Sequence, residues 1–268
     1  MYPKNKFFVN VTDIVSWLYC PRKLYLTKIK KIKQPLTKPM LIGRIKHNIL
    51  ESFSKSEQRL VSSISKDYDN LELFIIYENF LKKISSQIFL MNNNIIDSFH
   101  LDRQEIFKKV LDDFSEDLKI RILSIKKGLE KGFFKEQLWN NLSPKYISEL
   151  KLSSDNLELK GRVDRIEINN KKEMIPYELK TRAGKIYHSD ELQLTAYAML
   201  LQDAYKKPII KGIIESGPNK QEIPITYENK QEVLEIIKKI KNLINDPIPE
   251  MQSNFNKCRN CGLKNNCI

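Results

Sequence analysis

Residues 157–181 read LELKGRVDRIEINNKKEMIPYELKT. Apolar and polar residues alternate on both sides of Asn169-Asn170-Lys171-Lys172, which predicts two strands joined by a hairpin turn. Residues two apart in a strand share a face, so Glu178 and Lys180 project together. A neighbouring hairpin strand can bring Asp164 beside them. Two carboxylates offer oxygen ligands to Mg²⁺ or Mn²⁺. A lysine beside them can position an attacking group and stabilise negative charge, so the set suits phosphodiester hydrolysis. Acid-x-Lys is a weak signal alone, because Asp117/Lys119, Glu149/Lys151, Glu158/Lys160 and Glu228/Lys230 repeat it. Context selects Glu178: it follows the apolar approach MIPY and has Asp164 on the preceding strand. Pro176 cannot donate to a sheet ladder, which predicts a bulge or a locally unpaired edge there.

Working outward, YISELKLS (146–153) is a third strand. ELQLTAYAMLLQDAYK (191–206) is a helix carrying Gln193 and Tyr197, four apart on one face. IIKGIIESG and QEIPITY form a second hairpin over Gly217-Pro218-Asn219, and KQEVLEIIKKIKNLIND is a last helix ended by Pro247 and Pro249. Upstream, 11–30 starts as a helix capped by Thr12 or Asp13, with a break or new helical start at Cys20-Pro21. Residues 41–53 read as a helix with Ile42, Ile45, Ile49 and Phe53 on one face, and 71–91 and 103–131 have helical periodicity. The expected organisation is one composite domain. It comprises an N-terminal basic segment (1–53) with the helix of His47, a helical insertion (54–145), a core (146–250) and a C-terminal cysteine module (251–268).

The 268 residues carry a net charge of +13, and its location is informative. Residues 1–50 hold 11 Lys/Arg against one acid, Asp13, and residues 251–268 hold Lys257, Arg259 and Lys264 with no acid. The excess therefore sits at the two ends. It is either a solvated lysine-rich surface or a surface for a polyanion. No apolar run approaches a membrane span, and the N-terminal residues lack a signal-peptide layout, so a cytoplasmic protein is expected. In a reducing compartment four cysteines favour metal over disulfides. Cys258, Cys261 and Cys267 lie close together, and Cys20 alone can complete a four-thiolate set. The irregular spacing departs from paired zinc knuckles and suits an iron–sulfur cluster; zinc and free thiols stay open. Such a site would fasten the start of the chain to its end, and cross-linking so long a loop is worth on the order of 5 kcal/mol on the scale of disulfides. The basic ends would then meet beside Trp17, Tyr19 and Tyr25, and cations interleaved with aromatics suit single-stranded DNA.

GRIKH, LKGRVDRIE, IPYELKTRAGK, ELQLTAYAMLL, the early CPRKLYL and the tail cysteines occur in an order that resembles RecB-type nucleases of the PD-(D/E)xK superfamily, most closely the CRISPR-associated exonuclease family Cas-four. The likeness covers about 1–50 and 146–268. It implies an α/β, restriction-endonuclease-like fold: a mixed sheet flanked by helices, with the helical insertion and an iron–sulfur module. It implies that His47, Asp164, Glu178 and the backbone carbonyl of Leu179 hold Mn²⁺ or Mg²⁺, and that Lys180 is catalytic with Asp164 and Glu178. Gln193 and Tyr197 would support the site and contact DNA, and Glu149 matches an upstream acid or is a solvated strand residue. Cys20, Cys258, Cys261 and Cys267 would hold a [4Fe–4S] cluster. The sequence departs from the pattern at Leu179, where aromatic residues are frequent, and at Thr181-Arg182-Ala183-Gly184, which replaces a shorter turn. The implied activity is 5′ to 3′ exonuclease cleavage of single-stranded or frayed DNA in CRISPR adaptation, with the integrase complex as partner. The alternatives are a RecB-like nuclease of viral or mobile-element origin, a DNA-binding subunit without catalysis, and a zinc-stapled structural protein.

Overall fold

The structure is a computed structural model, and it describes residues 7–65, 67–180, 184–216, 219–243, 245–251, 255–259 and 261–267. The strands are β1 (Val9–Asn10), β2 (Lys145–Ser154), β3 (Leu159–Ile168), β4 (Met174–Lys180), β5 (Lys211–Ser216) and β6 (Asn219–Pro224). They form one mixed sheet in the order β1-β3-β4-β5-β6, with β2 also paired to β3. The expected hairpins are both present: β3–β4 and β5–β6 are antiparallel. Gly217 and Pro218, in the second turn, lie outside the described residues, as do Thr181, Arg182 and Ala183 after β4. β4 and β5 are parallel, so the chain must cross over between them, and α8 (His188–Tyr205) is that crossover. Pro176 sits in register opposite Ile166 without a bulge, and pairing with β5 begins one residue later at Tyr177. The proline thus occupies a locally unpaired edge, where its missing N–H costs no ladder bond.

The helix α1 (Val11–Tyr19) starts earlier than the sequence suggests. Its cap is Asn10, not Thr12 or Asp13, because β1 leads straight into the helix. The Asp13 carboxylate instead turns back and accepts the Asn10 N–H at 2.8 Å. Cys20 is extended and Pro21 opens α2 (Pro21–Lys28), so the Cys-Pro pair is both a break and a start. The helix of His47, α3, runs from Lys38 to Ser62 without interruption at residue 53. Its buried stripe is Leu41, Ile45, Ile49 and Phe53, a strict i+4 row that leaves Ile42 half-buried. α9 (Tyr227–Asn242) ends before Pro247 and Pro249, so those prolines do not terminate it.

The molecule has two apolar cores. One lies between the sheet and α1, α2, α8 and α9. The other is helical, formed by α3, α4 (Asn70–Met91), α5 (Asn93–Ser98), α6 (Arg103–Glu130) and α7 (Lys135–Asn141). Charged groups buried between sheet and helices join them. Arg165 of β3 reaches Asp117 of α6 and Glu215 of β5, each at 2.5 Å, and stacks between the rings of Tyr146 and Tyr177. Lys220 closes the set on Asp117 at 2.6 Å. Burial alone would raise the Asp117 pKa, but Arg165 and Lys220 outweigh it and hold the carboxyl below its ordinary value. Arg121 of α6 pairs with Glu57 of α3 at 2.7 Å and donates to the Pro144 carbonyl at 2.6 Å.

Removing one partner of a buried pair strands the other charge and costs about 3–5 kcal/mol. Asp117→Ala should therefore lose stability on that scale in urea denaturation. Glu105→Ala, which breaks an exposed pair with Lys109, should change little.

Candidate active site

Five elements deliver the site. α3 brings His47, the β2–β3 pair brings Glu149 and Asp164, and β4 with α8 brings Glu178, Lys180, Asp190, Gln193 and Tyr197. All the residues expected from sequence converge except the cysteines, which form a separate place. His47 Nδ1 lies 2.5 Å from Glu149 Oε1 and 3.7 Å from Asp164 Oδ1. The ligand atoms of His47, Glu149 and Asp164 lie within 4.8 Å of one another, inside the reach of a single ion. Asp164 Oδ2 accepts the Leu179 N–H at 2.9 Å, which ties β3 to β4 beside the site.

Glu149 is only 7% exposed, which removes the solvated-strand alternative. It also pairs with Arg162 Nε at 2.5 Å. Its backbone is left-handed, with φ +59°, inside a strand. That conformation costs a non-glycine residue of order 1–3 kcal/mol and persists only where its surroundings impose it. The kink sits opposite Asp164, between the paired positions Ser148–Arg165 and Leu150–Val163. The Glu-x-Lys at 149–151 was the available sequence signal, but its copies elsewhere hid it.

Lys180 has three N–H donors and three acceptors around it: Glu178 Oε1 at 2.7 Å, Gln193 Oε1 at 2.9 Å and Asp190 Oδ1 at 3.0 Å. Gln193 is oriented in turn by donating to the Tyr197 hydroxyl at 3.1 Å. Sequence reasoning missed Asp190. Its other oxygen accepts the Tyr187 N–H at 2.9 Å at the start of α8, so one carboxylate anchors both the helix and the lysine. It reads as an ordinary first-turn acid, and only the fold reveals its second partner.

Burial raises the Glu178 pKa to about 8, with the negative charge of Asp164 adding to the effect and Lys180 opposing it. Burial likewise raises Asp164, against the pull of His47 and the Leu179 N–H. For His47 burial acts downward, but the bond to Glu149 and the nearby carboxylates outweigh it and raise the pKa. Glu178 Oε2 is buried without a hydrogen-bond partner among the described residues. An unpaired carboxylate oxygen beside two further acids and an imidazole is what a divalent cation requires, so the donor set fits Mg²⁺ or Mn²⁺.

These groups lie at the floor of an open cleft of about 1150 Å³ between α3 and the β2–β3 pair. Arg44, Lys151, Lys160 and Arg162 also line it. The cysteines gather elsewhere: Cys20, Cys258, Cys261 and Cys267 line one cavity of about 100 Å³ with Tyr19, Leu26, Met251 and Leu263. The two ends of the chain meet here. Tyr19 Oη donates to the Lys257 carbonyl at 3.0 Å, and Arg22 donates to the carbonyls of Cys267 at 3.1 Å and Pro249 at 3.0 Å.

A mixed sheet with a parallel β4-α8-β5 crossover, carrying acids on β3 and β4 and a lysine two residues after the second acid, describes a class of nucleases. The chain belongs to the PD-(D/E)XK nuclease superfamily, whose sequence model matches residues 9–268. It is similar to the CRISPR-associated exonuclease Cas4/endonuclease Cas1 fusion of Leptospira interrogans serogroup Icterohaemorrhagiae serovar Lai (strain 56601), with 33% identity over 132 residues, covering 46% of this chain and 24% of that protein. The chain thus spans about a quarter of that relative's length. Among solved structures, the crystal structure of SSO0001 matches with 15% identity and a TM-score of 0.37, over 98% of this chain and 86% of that one. No helix among the described residues is long and apolar enough to cross a membrane.

Between pH 4.5, the ordinary value for a glutamate, and about 8, the folded metal-free protein keeps a proton on Glu178 that the unfolded chain has released. The raised values of Asp164 and His47 act in the same direction. Stability without metal should therefore fall as pH rises through that window. A divalent ion displaces those protons, so its stabilisation should grow over the same range. Thermal melts in EDTA and in Mn²⁺ from pH 5 to 8 should diverge as pH rises; parallel curves would contradict the assignment.

Proposed function

We propose that this protein is a metal-dependent deoxyribonuclease that removes nucleotides from single-stranded or frayed DNA ends, with 5′ to 3′ polarity. The observation that carries this reading is the buried carboxylates of Glu149, Asp164 and Glu178 with half-buried His47 and Lys180, beside an open cleft that Arg44, Lys151, Lys160 and Arg162 also line. His47, Asp164, Glu178 and the Leu179 carbonyl would hold Mg²⁺ or Mn²⁺, with Glu149 in support. The ion supplies positive charge that offsets the negative charge developing on the phosphate. Lys180 stabilises the same charge and orients the attacking water. Its three N–H groups are shared among Glu178, Asp190 and Gln193, so contact with a phosphate requires it to give up one of them. Gln193 and Tyr197 hold the ammonium in place and contact DNA at the cleft floor. The similarity to a Cas4/Cas1 fusion supports a role in CRISPR adaptation, with DNA trimmed before integration and the integrase complex as partner in the cytoplasm.

We further infer that the four cysteines hold a [4Fe–4S] cluster that fastens α1 and α2 to the C-terminal module. All four cysteines line one cavity there, which supports a group held by all four thiolates. The cluster is structural in this reading, and organises the basic ends as a surface for DNA.

End-labelled single-stranded DNA incubated with anaerobically purified protein and Mn²⁺ should be degraded. The reaction should stop with EDTA and fall at least a hundredfold in Lys180→Ala, the scale of losing a positioned electrostatic group. DNA that is bound and never cut would overturn the enzyme reading. The anaerobic protein should be coloured and carry about four irons, as all-cysteine cubane ligation implies. Cys20→Ser should bleach it, lower the melting temperature and expose the C-terminal module to proteolysis. A colourless protein with stoichiometric zinc would overturn the cluster.

A further inference from the structure

The wall of the cleft beside the carboxylates carries a charge pattern that the catalytic set does not use. β2 and β3 are antiparallel, and Lys151 stands directly opposite Arg162. Ser153 stands opposite Lys160 two positions further along the ladder. Like charges directly opposite on paired strands destabilise a sheet. An anion lying between such a pair would relieve that repulsion. The only acid that touches either residue, among the described residues, is Glu149, which takes the Arg162 Nε at 2.5 Å. That contact leaves the two terminal nitrogens of the guanidinium, and its side chain is 50% exposed. Lys151 and Lys160 are exposed, and Arg44 lines the same cleft from α3.

The position of the pair is as informative as its charge. Arg162 lies two residues from Asp164, which is about 6.8 Å of strand. That is close to the step from one phosphate to the next along an extended nucleic-acid strand. The tie from Arg162 to Glu149, and from Glu149 to His47, sets this distance from the carboxylates. A guanidinium presents paired donors to a phosphate and an ammonium adds a point charge, so together they suit one phosphodiester.

We propose that Lys151 and Arg162 form a binding subsite for the phosphate adjacent to the one being cleaved, with Lys160 continuing the track along the hairpin. This rests on the nuclease reading and deepens it: the substrate is recognised as a strand of at least two consecutive phosphodiesters, whatever its bases. The two residues position substrate and take no part in the bond-breaking step.

The test uses the whole protein and a single-stranded oligonucleotide. Binding is first measured in EDTA across a salt series, where no cutting occurs. Each phosphate neutralised on a single strand contributes about 0.7 to the slope of log K against log salt. The double substitution Lys151→Gln/Arg162→Gln should make the slope shallower by about 0.7. The same charge change at exposed Lys82 and Lys83 on α4 should leave it unchanged. In Mn²⁺, Lys151→Gln alone, which touches no carboxylate, should raise KM about tenfold with a smaller effect on kcat. A strand with one uncharged methylphosphonate beside the scissile linkage should be cut about tenfold less efficiently by the wild type. The double variant should cut it as well as it cuts ordinary DNA. Wild-type binding whose slope ignores the double substitution overturns the subsite alone, as does an equal methylphosphonate penalty in both proteins. A wild type that binds no DNA overturns the nuclease reading and the subsite together.

Discussion

A guanidinium removed from water has to be surrounded by acceptors, and Arg165 is 3% exposed. Its surroundings come from four elements: Asp117 on α6, Glu215 on β5, and the rings of Tyr146 on β2 and Tyr177 on β4. One buried charge thereby sets where the helical core sits relative to the sheet. The consequence reaches the cleft, because Arg165 follows Asp164 in sequence and Glu215 is in register with Leu179. α3 belongs to the helical core yet carries His47, so anything that moves that core moves the imidazole. Such networks are weak contributors to net stability, but they tolerate few alternative arrangements. Here that intolerance places a side chain of one core beside the carboxylates of the other.

The cleft floor holds the opposite kind of arrangement. Glu149, Asp164 and Glu178 are buried close together, and their mutual repulsion is met in part by His47, Arg162 and Lys180. Glu149 adds backbone strain at φ +59°. Repulsion, an unpaired Glu178 oxygen and strain at one place make a site that is more comfortable with a cation than without. In the proposed reading, that imbalance is what recruits the ion. Asp190 limits the disorder such a site would otherwise have, since it binds Lys180 through one oxygen and the start of α8 through the other.

The cysteine module solves a different problem. Leu263 of the C-terminal residues is buried in one apolar core with α1 and α2, and side-chain bonds to backbone carbonyls from Tyr19 and Arg22 supply part of the register. A cluster on the four cysteines would complete it. The strap of residues 29–37 then runs from this module to the start of α3: Pro35 sits against Gly262, and Pro39 and Met40 line the cleft.

Much of this was legible in the sequence because it depends on local periodicity. The strands of 145–180, the hairpin at Asn169–Lys172, the crossover helix and the grouping of Asp164, Glu178 and Lys180 follow from period-two and period-3.6 patterns, while the place of Gln193 and Tyr197 at the same site came from the family resemblance. The meeting of Cys20 with the tail followed from counting thiols. What lay beyond reach depends on which faces meet. Glu149 was indistinguishable from a solvated strand residue until a kink and the approach of α3 placed it against His47. Asp190 and Arg162 look like ordinary polar residues until partners far along the chain are added. The cap of α1 shifted to Asn10 because a strand ends there, and the pairing with Leu159–Lys160 that makes it a strand spans some 150 residues. Periodicity records the face a residue shows to its own element. A charge's partner is set by the other elements that cover that face, and those are known only when the chain has packed.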